Sequence, residues 1–282
     1  MSFLAMIVAL ILLQAWGSGN RVQHDEWFTR LAKRAEGWAL PGAVRLGLLL
    51  LLPAILAQLA LDLVEPILFG LPWIGLAAFL LLYSMGRRDF HALLERYRQQ
   101  CENEDFEGAY LTTLSELGWA SSGENPGSPP EVHRLVQRSF FYEGYQRWFA
   151  VLFYFVLLGP AGALAYRLLQ LCRHTFEPEL VEKCLFIVDW VPARILAAAF
   201  ALTGDFVGSR DDFMETAFDG SLGAAHLLQR VGRAALDMDD EAPAAAEGFG
   251  LFAARQSAEL ASLLSRSAAC WIAIIALLVL LA

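Results

Sequence analysis

The chain has 282 residues, 57% of them hydrophobic and 18% charged, with a mean hydropathy of +0.45 and a formal net charge of −9. This is too apolar for an ordinary soluble domain of its length, and the negative balance excludes nucleic acid as a partner, because phosphates call for a basic surface. Four cysteines (Cys101, Cys172, Cys184 and Cys270) form no CxxC pair and have no histidine at ligand spacing, so they read as scattered reduced thiols and not as a zinc site or disulfide frame.

Residues 2–16 are an apolar run with no preceding Lys or Arg and no small-residue cleavage site, which predicts a retained first membrane helix, short against the ~20 residues that span hydrocarbon. In 17–39, Phe28, Leu31, Ala32 and Ala35 recur at helical spacing among mixed charges, which predicts an amphipathic interfacial helix. Residues 44–64 predict a span, Glu65-Pro66 a turn and 67–85 the return span. Residues 87–147 read as a soluble insert. Phe90, Leu93, Leu94 and Tyr97 share one helical face, and Leu111, Leu114 and Leu117 a second. A Gly/Ser/Pro loop follows over 121–130, and Val132, Leu135, Val136 and Phe140 restart a helix leading into Trp148. The acidic patch Glu102, Glu104, Asp105 and Glu107 lacks the glycine and terminal Glu of a calcium loop and reads as a solvated face or helix cap.

The apolar run 148–171 is broken by Gly159-Pro160 and closed by Tyr166-Arg167, and 185–206 is an apolar helix carrying Asp189 and Arg194. Beyond it, helical patches are expected around 213–218 and 222–236, an acidic turn at 237–243, and a long helix from about residue 247 into the final apolar run. The expected fold is an all-α, polytopic membrane helical bundle with a cytoplasmic helical cap. Its expected parts are N-terminal membrane helices (1–85), a cytoplasmic insert (86–147), core membrane segments (148–206), a second cytoplasmic region (207–267) and a C-terminal membrane helix (268–282). The membrane segments number six if 148–171 and 185–203 both cross, and four if both are re-entrant or lie within the bundle; the break at Gly159-Pro160 predicts at least a kink. Lys and Arg number four in 17–42, seven in 86–147 and none in the 62–66 turn, which places the large loops in the cytoplasm.

No Walker loop, GxGxxG, HExxH or GxSxG occurs, and the five histidines are dispersed, so neither catalytic nor metal-binding residues are assigned and no cofactor is implied. Ionisable residues at membrane depth face a cavity, a partner or the interface. Arg194 therefore reads either as a clamp for phosphate or carboxylate, or as a guanidinium that snorkels to headgroups or pairs with Asp189 or Asp205. Arg167 beside Tyr166 also reads as an interface anchor, and Glu143 with Arg147 as an i,i+4 pair. The expected ligand-binding set is Arg194, Arg167, Arg147, Asp189, Asp205, Glu143 and Tyr166, gathered in a cytoplasm-facing pocket.

The stretch LFYFVLLGPAGALAYRLLQ followed by DWVPARILAAAFALTGDF resembles the AmpE branch of the cobinamide-phosphate synthase (CobD/CbiB) superfamily, as do the SFLAMIVALIL start, LLYSMGRRDF and FFYEGYQRWFAVLFYFVLLGP. The resemblance spans nearly the whole chain. It implies a multi-pass bacterial inner-membrane protein that signals in β-lactamase induction and the response to cell-wall damage. The expected partners are the lipid bilayer, from composition, an anionic small molecule such as a nucleotide or muropeptide, which would suit the charge of Arg194, Arg167 and Arg147, and a soluble cytoplasmic protein of cell-wall recycling. Against the synthases, Glu143 and Pro192-Ala193-Arg194 match. Gly144 stands for an Asn, Gln146-Arg147 for an Asp-Gly, Val151 for a Pro, and Gln170-Leu171-Cys172-Arg173 for an Asn-Thr-Leu-Asp. Two carboxylates are thereby lost, which argues against the metal-dependent amide ligase of that superfamily. A residual ligase and a non-catalytic docking scaffold are the rival readings.

Overall fold

The computed structural model describes residues 1–16, 23–86, 90–117, 126–173, 175–238 and 248–281, and every regular element among them is helical. In chain order these are α1 (Ser2–Trp16), α2 (Glu26–Glu36), α3 (Gly42–Val64), α4 (Leu71–Ser84), α5 (Phe90–Glu102), α6 (Phe106–Leu117), α7 (Pro129–Gly144), α8 (Ala150–Cys172), α9 (Pro178–Thr203), α10 (Phe206–Ala217), α11 (Ala224–Ala235) and α12 (Phe249–Leu281). A 3₁₀ turn, Leu68–Gly70, precedes α4, and a π-helical turn, Tyr145–Phe149, joins α7 to α8. Residues 17–22, half of the loop at 121–130 and most of the acidic turn at 237–243 lie outside the described residues. By length and composition four helical runs can cross a bilayer: Gly42–Val64, Pro129–Cys172, Pro178–Thr203 and Phe249–Leu278. Ser2–Gln14 and Leu68–Ser84 are apolar but shorter. The chain forms two compact units, Met1–Arg88 with Gln146–Pro192, and Asp89–Tyr145 with Ala193–Ala282.

In the first unit, α3 and α4 form the expected hairpin. Leu48, Leu51, Leu52, Ile55, Leu56, Leu59 and Leu63 leave one side of α3 exposed and largely apolar, interrupted near its end by the exposed Gln58–Asp62 hydrogen bond, a face suited to lipid over most of its length. The chain reverses at Leu68, Phe69 and Gly70, all with positive φ. At Gly70 (φ +78°) an added Cβ would stand 2.6 Å from Met1 Sδ, so this turn needs glycine. Small residues let α1 approach α4: Ala5, Met6 and Ala9 are buried, as are Ala77, Ala78 and Leu81. The amphipathic α2 buries Phe28, Ala32 and Ala35 as its spacing predicts. Gln23 Nε2 donates to the Leu82 and Met85 carbonyls at 2.9 and 3.0 Å, capping the end of α4.

Within α8 the helix axis breaks at Gly159 (φ 76°, ψ −172°), a conformation essentially restricted to glycine, followed by Pro160. The two limbs fold back on each other. In a straight helix Tyr154 and Tyr166 would be separated by ~18 Å, and Gln146 and Gln170 by ~36 Å. Instead the tyrosine rings stack with centroids 5.0 Å apart, and Gln170 Nε2 donates to the Gln146 carbonyl at 3.1 Å. A Cβ on Gly162 would stand 2.3 Å from Leu158 Cβ and 3.1 Å from the Tyr154 carbonyl, so glycine also permits the closeness of the limbs. Counted within α8 alone the limbs have nine and thirteen residues, about 14 and 20 Å, and the first is continuous through the π-helical turn with α7.

Both ends of this bent helix lie at the same end of the first unit. The Gly86 amide, just past α4, donates to the Arg147 carbonyl at 2.7 Å. Past α8, Glu177 accepts from Arg45 at 2.6 Å, near the start of α3, and the Arg45 guanidinium lies 5.3 Å from the Phe176 ring centroid. Because α3 and α4 form a hairpin, these two anchor points share one end of the unit, and the 148–171 run turns back on itself. The expected kink at Gly159-Pro160 is thus a reversal. In a background with the four native cysteines replaced, cysteines at positions 45 and 177 are expected to react with an impermeant maleimide from the same side of the membrane. Labelling of the two from opposite sides would show that α8 crosses.

The second unit is built on buried contacts of α12 with α5 and α7, and of α11 with α7 and α10. In α5, Leu93, Leu94 and Tyr97 turn inward as expected. In α6 the expected Leu111, Leu114, Leu117 face is corrected: Ala109, Thr113 and Leu117 are buried and Leu111 is exposed. Thr113 tolerates burial because its hydroxyl donates to the Ala109 carbonyl at 2.8 Å. Pro129 and Pro130, expected in the loop, instead start α7, where the missing amide hydrogens cost no helical bond. The acidic patch serves as a cap, with Asp105 Oδ1 accepting from the Gly108 amide at 3.0 Å. Burial pushes the Cys101 thiol up to about 11, which keeps it protonated and unreactive at neutral pH.

Candidate functional site

The polar residues of the first unit gather along the α8 hairpin and the adjoining part of α9. Asp189 is 1% exposed, on a helix apolar enough for lipid, and the Tyr166 hydroxyl donates to its Oδ1 at 2.8 Å. The stacked partner ring, Tyr154, donates its own hydroxyl to the Val188 carbonyl at 2.7 Å. The fold-back at Gly159 is what brings these two tyrosines from opposite limbs onto one turn of α9. An acid at the centre of a lipid-spanning helix costs about 2.5–3.5 kcal/mol on insertion scales, and the tyrosine hydrogen bond offsets part of the burial of Asp189.

At the open end of the hairpin the π-helical turn carries Gln146 and Arg147. A π turn inserts one extra residue and often marks a functional position. Gln146, Gln170 and Arg167 form a relay: Arg167 Nη1 donates to Gln170 Oε1 at 2.8 Å, and Gln170 Nε2 donates to the Gln146 carbonyl. The guanidinium fixes which end of the Gln170 amide is oxygen. Gln146 is itself buried, and its Nε2 has no hydrogen-bond partner. The Arg147 stem packs against Gly86, where an added Cβ would stand 2.2 Å from Arg147 Cγ.

The other expected site residues belong to the second unit. Arg194, on α9, is 8% exposed and donates through Nε to the Ala217 carbonyl (2.7 Å) and through Nη2 to the Asp219 carbonyl (2.5 Å). These carbonyls end α10, so a cation meets the negative end of a helix. Hydrogen bonds from the Ser221 hydroxyl and amide, at 2.6 and 2.8 Å, hold the Asp219 carboxyl below the usual carboxylate range and shape the turn that presents its carbonyl. Arg194→Ala is expected to lower stability by about 3 kcal/mol or more, since it removes two charge-assisted bonds that contribute ~1.5–3 each. Lysine, a point donor without the fork, should recover less than half of it. Thermal unfolding of the full chain measures both. Asp205 caps α10, accepting from the Val207 amide at 3.0 Å, and its own amide donates to the Ala235 carbonyl at 2.7 Å. Glu143 is buried near the end of α7.

The structure therefore joins Tyr166 to Asp189, and sets Arg167 in a relay whose other members, Gln170 and Gln146, charge-based reading passed over. Their only sequence signal was that both fall at departures from the synthase pattern. Among the described residues no group of three or more His, Cys, Asp or Glu is placed to hold a metal ion. A family profile described as regulatory signalling modulator protein AmpE matches residues 1–237. The chain belongs to the AmpE family. The match takes in the α8 hairpin, the Tyr166–Asp189 pair and the Arg194 clamp, and ends before α12. For this AmpE-family protein the supported role is that of a membrane regulatory signalling modulator. No curated protein and no solved structure matches the chain.

Proposed function

We propose that this AmpE-family protein is a sensor of the bacterial inner membrane that modulates β-lactamase induction during cell-wall damage, with its larger loops in the cytoplasm. Family membership supports the signalling role, and the Lys/Arg-rich loops support the orientation. The observation that carries the reading is the broken helix α8: a re-entrant limb pair, turned on a glycine, that encloses a buried acid and tyrosines inside a lipid-facing unit. Irregular backbone at such a position is tolerated where it lines a site, and ionisable groups there mark ligand or ion pathways. The ligand is anionic, a nucleotide or a muropeptide, drawn by Arg147 and Arg167. Arg194 and Asp205 serve the fold of the second unit.

The test is induction of β-lactamase in cells lacking the gene and complemented in turn by wild type, Tyr166→Phe and Asp189→Asn. Wild type is expected to restore the parental induction profile, and Asp189→Asn to fail while reaching the membrane in equal amount. Equal complementation by every variant, or no change on deletion, would sink the reading.

A further inference from the structure

We propose that α10 is a membrane-surface helix, held by apolar contact in the lipid of the leaflet that α12 enters. The inference goes beyond the ligand reading and does not depend on it. Its starting point is a row of large apolar side chains that the second unit leaves uncovered. Val207 and Met214 of α10 and its cap residue Phe218 fall at i, i+7 and i+11, which is one face of a helix. Val207 and Phe218 are 84% and 80% exposed, and Met214 is exposed between them. Leu202, near the end of α9, and Phe206 extend the row and are exposed as well. A contiguous apolar row of this kind marks a surface that meets something other than water.

The unit's own last helix shows what that is. The last charged residue of α12 is Arg266, and 268–281 carries none, with Ile274, Leu277, Leu278 and Leu281 exposed, so this run is made for lipid. Ser267, at the change from polar to apolar, shares a hydrogen bond of 2.9 Å with the Thr203 hydroxyl. Leu202, Phe206 and Val207 flank Thr203 in sequence, so the uncovered row begins at the level where α12 passes into hydrocarbon. From there α10 runs back along 193–203 of α9. Asp205 caps its start, and Arg194 holds the carbonyls of Ala217 and Asp219 at its end. That part of α9 is packed inside the unit: Leu196, Ala197 and Phe200 are buried, and the Phe200 ring centroid lies 5.6 Å from that of Phe141. The charges of α10 are matched locally. Arg230 of α11 donates to Asp212 at 2.7 Å and to Glu215 at 2.6 Å, and Arg210 pairs with Asp211 at 3.1 Å. The outer face therefore has no excess of positive charge to seek anionic headgroups, and apolar area alone supplies the attraction.

Fluorescence quenching on the full chain, with its four native cysteines replaced and reconstituted in phosphatidylcholine vesicles, tests the surface. Val207→Cys, Met214→Cys and Phe218→Cys each carry an environment-sensitive fluorophore. Leu277→Cys, in the lipid run of α12, and Arg255→Cys, on its exposed charged part, are the references. Lipids with nitroxides on their acyl chains are expected to quench the three α10 positions as they quench position 277. Iodide, present on both sides of the membrane, should quench only position 255, and phosphatidylglycerol mixed into the vesicles should leave the pattern unchanged. The three side chains are exposed, so cysteine should cost the fold little, and any one variant that folds is enough. The proposal is overturned if iodide reaches the α10 positions as it reaches 255, which would return the face to water. It is overturned too if neither quencher reaches them, and cross-linking of Val207→Cys between copies would then assign the face to a second copy. Acyl-chain quenching that requires phosphatidylglycerol would also overturn it, because the attachment would be electrostatic.

Discussion

Gly159→Val is expected to collapse the α8 hairpin and to be among the most damaging single substitutions in the protein. The space around Gly159 is open: a Cβ would meet nothing within 4 Å. The cost is therefore one of backbone and not of clash. At φ 76° and ψ −172° an L side chain is strained by about 1–3 kcal/mol, and a β-branched residue has the fewest ways to relieve it. The alternative open to the chain is to straighten, which would part Tyr154 from Tyr166 and the Gln170 amide from the Gln146 carbonyl, and leave Asp189 without its tyrosine. Thermal unfolding in detergent should show a lowered midpoint for Gly159→Ala and a larger loss for Gly159→Val. Gly75→Ala is the control: Gly75 lies inside α4, has no positive φ, and its added Cβ meets nothing. That change should be neutral or slightly stabilising, by up to ~1 kcal/mol, because alanine is the better helix former. Equal behaviour of the Gly159 and Gly75 variants would show that the fold-back does not depend on glycine geometry.

Gln137→Leu should destabilise the second unit by several kcal/mol. Gln137 is fully buried and holds together a polar cluster drawn from α5, α7, α11 and α12. Its Nε2 lies 2.9 Å from His133 Nε2 and donates to Gln256 Oε1 at 3.0 Å, while its Oε1 accepts from Arg233 Nη1 at 2.8 Å. His133 in turn meets the Tyr97 hydroxyl through Nδ1 at 2.9 Å and Gln256 through Nε2 at 3.0 Å. Leucine fills a similar volume but takes one partner from each of His133, Gln256 and the half-buried Arg233, of which His133 and Gln256 keep only each other and Tyr97 among the described residues. Each group left unsatisfied costs about 1–3 kcal/mol, more where a charge such as that of Arg233 is involved. A buried network is favourable only while complete, so the double variant Gln137→Leu/Gln256→Leu should cost clearly less than the sum of the singles. Unfolding of the full chain by heat or denaturant measures the cycle. A Gln137→Leu penalty below ~0.5 kcal/mol, or strict additivity, would show that the cluster is solvated and contributes little.

Much of this architecture was legible before any coordinates. Length and hydropathy are local properties, so α3, α9 and the apolar half of α12 could be read directly, and so could the inward faces of α2 and α5, whose periodicity is regular. Gly159-Pro160 announced a break because glycine and proline act on their own backbone. Leu111 misled because counting apolar positions cannot see that Ala109 and a self-bonded Thr113 fit a close helix contact better than leucine does.

What only the tertiary structure decided is which way the chain goes after a break and what each polar group finds there. A glycine permits both signs of φ, and the choice of a full reversal follows from Tyr154 packing on Tyr166 and from the two anchor points at Gly86 and Arg45. Arg194 looked from its charge like a clamp for an anion or an anchor for headgroups. Its partners are main-chain carbonyls, which every residue possesses and no sequence pattern marks. Gln146 and Gln170 carry no charge to draw notice, and only folding shows that one is fully engaged while the other holds a donor with nothing to give it to. The residues themselves determined that this chain is helical and made for lipid; the pairing of distant polar groups, set by packing, determined where its chemistry lies.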